Sequence, residues 1–134
     1  ATAPAQRRTL ARQLMQDLRQ SQTERIASQK NPDGSDYEPR KPQPTLRNAR
    51  GRLRRTMFER MRTARHLKGE ASADGAEIAI EGASGRIARV HQFGLEDRVN
   101  RRGLMIRYPV RELLGFTDDD KARILQTVVD HLTP

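Results

Sequence analysis

The chain predicts an α+β fold: a small antiparallel sheet of roughly three or four strands, two longer N-terminal helices and a C-terminal helix. Two periodicities carry this reading. Apolar residues recur every three or four positions through the first half of the chain and again at its end, the pattern of helices that bury one face. Between them Ala76-Glu77-Ile78-Ala79-Ile80-Glu81 alternates, as a half-buried strand does. At 134 residues this is one domain, 1–134, able to bury only a modest core.

The first helix is expected over residues 5–29. Leu10, Leu14 and Leu18 repeat every four residues, with Met15 beside them and Ile26 two turns on, while Arg12, Gln16, Arg19 and Gln20 fill the wet side. Residues 31–45 hold Pro32, Pro39, Pro42 and Pro44 and form an extended arm. Asn31-Pro32-Asp33-Gly34 opens it with a turn, because Pro fixes its own φ and Gly accepts a positive one. So long a stretch without its own packing is either disordered or laid on a neighbouring subunit. The stiff rings of Tyr37 and the prolines favour the second.

A second helix is expected over residues 46–68, from the spacing of Leu46, Ala49, Leu53, Met57, Met61, Ala64 and Leu67, with Gly69 as its left-handed stop. Arg47, Arg54 and Arg65 lie along one flank of it, Arg55 and Arg62 further round, and Phe58 between these groups and off the apolar stripe. Either this is a solvated basic face with a stray aromatic, or it is a contact face anchored by Phe58. The strand at 76–81 follows the Asp74-Gly75 turn, with 70–73 as a weak hairpin partner. Residues 86–93 suit a short helix stopped by Gly94, 95–103 a charged flexible stretch, and Met105 to Tyr108 a strand limited by Pro109. Thr117 then caps the last helix, with Asp118, Asp119 and Asp120 on the positive end of its dipole.

Charge is polarised. Residues 1–68 carry 17 basic and 6 acidic side chains, residues 69–134 carry 9 and 11, and the net charge is +9. The segment 40–68 alone sets eleven basic residues against Glu59. Such a stripe suits an acidic protein surface or the phosphate backbone of a nucleic acid, bound without sequence preference. Heterologous contact between copies is a further use of two unlike halves.

Chemistry is poorly represented. The chain has no Cys, which removes disulfides, thiolate metal sites and thiol nucleophiles. His66, His91 and His131 stand at no metal-ligand spacing, and His91 suits the edge of the core, bonded to a backbone carbonyl. Asp118–Asp120 reads as a helix start, not a calcium loop. Gly82-Ala83-Ser84-Gly85-Arg86 lacks the ending of a phosphate loop. No cofactor and no enzyme activity are expected. No apolar run of ~20 residues spans a membrane, and the N-terminus lacks a signal-peptide core, so synthesis in a reducing, intracellular setting is expected.

Two strings are dense in aromatic, Gly and Pro residues, as where a chain turns fixedly against a surface: Ala88-Arg89-Val90-His91-Gln92-Phe93-Gly94 and Tyr108-Pro109-Val110-Arg111-Glu112-Leu113-Leu114-Gly115-Phe116. We expect Phe93, Tyr108, Leu113, Leu114 and Phe116 to converge into one cluster that docks the sheet on the last helix, with His91 at its edge. Together with Arg25-Ile26-Ala27, Tyr37-Glu38-Pro39-Arg40-Lys41, Met57-Phe58 and Arg62-Thr63-Ala64-Arg65-His66-Leu67, these strings resemble the phage virion morphogenesis family, the tail completion proteins of contractile-tailed phages. The resemblance covers nearly the whole chain. It implies a structural virion protein at the head-proximal end of the tail, assembled in the host cytoplasm. It also implies a homo-oligomer, a hexamer by the symmetry of the tail, in contact with tube, sheath and neck or connector proteins, and it leaves open whether the Arg-rich segment meets genomic DNA in the lumen, without sequence preference, or acidic protein surfaces. It implies no active-site residues. Arg47, Arg54, Arg55, Phe58, Arg62, Arg65 and Tyr37 are then the candidate interface, and His91, Phe93, Gly94, Tyr108, Pro109, Leu113, Leu114, Gly115 and Phe116 the candidate structural joint.

Overall fold

The computed structural model describes residues 3–40, 56–98 and 100–133. Three helices and two small antiparallel ribbons follow one another: α1 (Pro4–Ala27), β1 (Leu67–Ser72), β2 (Gly75–Ile80), α2 (Gly82–Phe93), β3 (Glu96–Arg98), β4 (Met105–Arg107) and α3 (Asp118–Leu132). The fold is α+β. Pro4 stands in the first turn of α1, where a missing N–H removes no helical bond. At the start of α3, Thr117 Oγ1 accepts from the Asp120 N–H at 2.9 Å and Asp120 Oδ2 accepts from the Thr117 N–H at 3.0 Å. This reciprocal cap is the one the sequence promised.

β1 and β2 form a hairpin in register from Leu67↔Ile80 to Ser72↔Gly75. The ribbon lies along α1. Arg19 Nε donates to Leu67 O at 2.9 Å near one end, and Arg7 Nε donates to Ala73 O at 3.2 Å at the turn. The Met15 side chain fills the space a Cβ at Gly69 would need. Gly69 is thus a strand residue under a helix, and not a helix stop. β3 and β4 pair from Glu96↔Arg107 to Arg98↔Met105. The two ribbons are not joined, so the expected single sheet of three or four strands is two sheets of two. The connections explain this. β2 runs straight into α2, and β4 ends at Tyr108-Pro109, where proline offers no N–H to a further ladder.

The expected helix over 46–68 is absent wherever the chain is described. Residues 46–55 fall outside the described residues, 56–58 are irregular, 59–66 are turns and a bend, and Leu67 begins β1. Phe58 has φ +67, which no α-helix contains. Gln29 also takes both backbone groups of Met57: its Oε1 accepts from the Met57 N–H at 2.9 Å and its Nε2 donates to the Met57 O at 2.8 Å. The helical spacing of Met57, Met61 and Leu67 was real burial, but in a looped path. Met57 and Leu67 are buried, and Met61 packs on the core.

That core is small. Ile26, Ala88 and Leu113 form it, with Phe58, Met61 and Ile80 packed against it. α3 lies beside α1, and Leu14, Leu18 and Ile124 face one another between them.

Gly94 stops α2 with φ +62, and a Cβ there would meet Val110 Cγ2 at 2.9 Å and Tyr108 O at 3.3 Å. Gly94→Val therefore combines a left-handed backbone with a clash. It should lower unfolding free energy by about 3 kcal/mol, read from the urea midpoint. Gly75→Ala, whose added methyl meets open space, should shift it by less than about 0.5 kcal/mol.

Candidate functional site, a joint held by side chains

Residues 111–115 are neither helix nor strand, yet each of their backbone N–H groups is bonded. The Arg111 N–H donates to His91 O at 2.8 Å. The Glu112 N–H donates to Asn31 Oδ1 at 2.9 Å. The N–H groups of Leu113 and Leu114 both donate to Gln92 Oε1, at 2.9 and 3.0 Å, and Gln92 Nε2 donates to Leu114 O at 2.8 Å. Gln22 treats Gly115 as a partner strand would: its Oε1 accepts from the Gly115 N–H at 3.1 Å and its Nε2 donates to the Gly115 O at 2.9 Å. Side-chain amides from α1, the 31–36 turn and α2 thus replace a sheet ladder. Gly115 allows the close approach, because a Cβ there would run into the Pro32 ring.

Arg25 completes the joint from below. Its NH2 donates to Gln22 Oε1 and to Leu113 O, each at 2.6 Å, and its NH1 donates to Glu112 O at 2.9 Å and Lys30 O at 3.0 Å. Tyr37 Oη donates to the same Glu112 O at 2.8 Å. Arg25 is buried and, among the described residues, bonds no carboxylate. Neutral oxygens, mostly carbonyls, solvate its two terminal nitrogens. Burial pushes the Tyr37 hydroxyl pKa up, and the neighbouring Arg25 opposes that.

A chain of rings closes the other side. Tyr37 meets Phe58 edge-on at 5.6 Å, Phe58 meets His91 at 4.8 Å, and His91 meets Tyr108 at 4.9 Å. Arg111 spans the rings and the arm. Its NH1 lies 3.1 Å from His91 Nδ1, and its Nε and NH2 donate to Glu38 O at 2.8 Å and Pro39 O at 3.4 Å. A guanidinium has only donors, so His91 Nδ1 accepts and the ring is neutral, with its proton on Nε2. The bond expected from His91 to a backbone carbonyl is thus a bond to Arg111. Burial and the charges of Arg111 and Arg40 push the His91 pKa down to about 4.

The residues expected to act together divide. His91, Tyr108, Leu113, Leu114 and Gly115 meet at this joint, with Gly94 and Pro109 at its rim. Phe93 and Phe116 are not in it: each is more than half exposed, and Phe93 lies 5.4 Å below the Arg89 guanidinium. Among the described residues no cluster of large rings docks a sheet on α3. Tyr37, expected on a neighbour, is 4% exposed inside its own subunit. Phe58 is half-buried there too. Of the candidate arginines, Arg47, Arg54 and Arg55 lie outside the described residues, as do 41–45 of the arm. Arg65 is exposed, and Arg62 is half-buried with no bond at Nε. Sequence reasoning missed Gln22, Arg25, Asn31, Gln92 and Arg111. One signal was present: Gln22 occupies the position in the Leu10, Leu14, Leu18, Ile26 series where a fourth leucine would stand.

Among the described residues no three acidic or histidine side chains are placed to hold a metal ion, and no helix is long and apolar enough to cross a membrane.

Gln92→Ala would strand two N–H groups and a carbonyl in a half-buried site. It should cost about 3 kcal/mol in a thermal melt. Gln126→Ala, which loses an exposed bond to Asp130, should cost less than about 0.5 kcal/mol. Protonation supplies a second handle. An unfolded His titrates near its ordinary 6.5, the folded His91 near 4, so between these values the unfolded chain binds more protons. Stability should hold above pH 6.5 and fall, by roughly 2 kcal/mol, as pH drops towards 4. His91→Asn should flatten that limb of a stability-against-pH curve.

The comparisons with known proteins fit a chain built as a structural unit. The model of the phage virion morphogenesis family matches residues 1–133. The chain is 43% identical over 131 residues to the tail completion protein S of Escherichia phage P2, covering 97% of this chain and 87% of that protein. No solved structure matches. This protein is a structural one rather than an enzyme, and it belongs to the phage virion morphogenesis family.

Proposed function

We propose that the protein completes the head-proximal end of a contractile phage tail as a hexameric ring, ending tube and sheath and offering the surface on which the head joins. The observation that carries the reading is the 43% identity to a tail completion protein across nearly the full chain. The subunit's surface supports it: Phe93, Leu104, Met105, Val110, Phe116, Leu125 and Leu132 are all more than half exposed. That is more large apolar surface than a solitary domain of this size keeps wet. A closed ring needs heterologous contacts, in which one patch meets a different patch. The unlike charges of the two halves provide for that, with Arg62 and Arg65 on one side and Glu77, Glu81 and Glu96 on the other. In this reading the joint at 111–115 fixes the subunit's shape, and with it the angle at which the ring closes. Axial partners are tube, sheath and neck proteins, and the site of action is the neck of the virion.

The purified chain should sediment as a discrete hexamer. Raised salt should slow its assembly more than it dissolves finished rings, because exposed ion pairs steer association while contributing only ~0–1 kcal/mol each. A monomer that retards DNA on a gel would instead favour a non-specific nucleic-acid binder working through the Arg-rich segment 40–68.

A further inference from the structure

If exposed ion pairs contribute so little, an apolar seam must hold neighbouring subunits together. Among the described residues, the single subunit leaves two apolar surfaces open at its C-terminal end. One is the outer face of α3. Ile124 and Thr127 turn towards Leu14 and Leu18 of α1, which leaves Leu125, Val129 and Leu132, at i, i+4 and i+7, between 46 and 65% exposed. The other is the β3–β4 ribbon. All three residues of β4 are exposed, and Leu104, Met105 and Ile106 are 39–55% exposed. Residues in a strand point alternately to its two faces, so neither face of this ribbon is covered. Two strands of three residues each are marginal alone and gain stability when a face is packed.

Charge says which surface fits which. The ribbon, 96–107, sets Arg98, Arg101, Arg102 and Arg107 against Glu96 and Asp97. α3 sets Asp118, Asp119, Asp120 and Asp130 against Lys121 and Arg123, and all but the capping Asp120 are exposed. The basic, apolar ribbon complements the acidic, apolar helix. Two copies of α3 placed face to face would repel, as would two ribbons.

We infer that the β3–β4 ribbon of one subunit docks on the outer face of α3 in the next, with Ile106 against Leu125, Val129 and Leu132 and the ribbon's arginines over the helix's aspartates. The inference rests on the ring reading and supplies its repeating contact. The contact is heterologous, so each subunit gives a ribbon to one neighbour and takes one from the other.

Complementation between two single variants tests it. Ile106→Asp spoils only the ribbon and Val129→Asp only the helix face. Both positions are exposed, so each variant should keep the wild-type circular dichroism and melting temperature. Each alone should lose assembly, its mass by light scattering falling to one subunit. Mixed in equal amounts, they should form a dimer of twice the subunit mass and nothing larger, because one good ribbon and one good helix face remain. The chain has no Cys, so Ile106→Cys combined with Val129→Cys should give a disulfide ladder of chain multiples on oxidation, and neither single variant should. Wild-type rings from either aspartate variant, a mixture that stays at one subunit, or a double-cysteine chain without a ladder would overturn this contact and leave the ring standing. A wild-type chain monomeric at every concentration would overturn the ring, and this contact with it. If that monomer joined purified tails while both variants failed to, the two surfaces would belong to another tail protein.

Discussion

The structure depends on how five consecutive peptides, 111–115, are kept satisfied away from any sheet. A buried backbone group without a partner costs as much as a lost hydrogen bond or more. For residues 112–115 the partners are side chains, among them Gln22 and Arg25 from α1, Asn31 from the turn that follows it, and Gln92 from α2. Each is tied to its own element, so bonding the 111–115 segment fixes α1, the arm and α2 relative to one another. Leu113, at the centre of that segment, has no exposed surface. The apolar core and the polar joint are thus one construction, and neither closes without the other.

This arrangement suits a chain with few large apolar residues. Among the described residues, three, Ile26, Ala88 and Leu113, make the buried cluster. Area burial on that scale is a weak source of uniqueness, and directional bonds supply what it lacks. Arg25 shows the cost and the gain. An unpaired guanidinium is expensive to bury, but its fork spans Lys30 O, Glu112 O, Leu113 O and Gln22 Oε1 together, which no leucine does. Arg111 repeats the device on the other side, holding the arm's Glu38 and Pro39 carbonyls against the ring of His91.

Rigidity inside is matched by apolar surface outside. The interior polar groups set the subunit's shape, while Phe93, Phe116, the β4 strand and the outer face of α3 stay wet. The proposed assembly would account for this division. The subunit's own fold uses a compact hydrogen-bonded joint, and its large apolar groups stay on the surface.

By itself the sequence determined the features that depend on near neighbours. The periodic stripe of α1, the Asn31–Gly34 turn, the strand that follows Asp74-Gly75, the stop at Gly94 and the Thr117 cap are local, and each formed as its residues dictate. The family, too, was legible in the order of its strings. Tertiary structure decided the rest. Met57, Met61 and Leu67 have helical spacing, but burial does not record the path that achieves it, and Gln29 and the positive φ of Phe58 route the chain through turns. Phe93 and Phe116 look like core residues because size and apolarity are all that a sequence displays, and neither says which side of a subunit they will face. The partners of Gln22 and Arg25 lie some ninety positions along the chain. A glutamine in a leucine stripe marks that something polar must meet it, and only the folded chain can bring that something there.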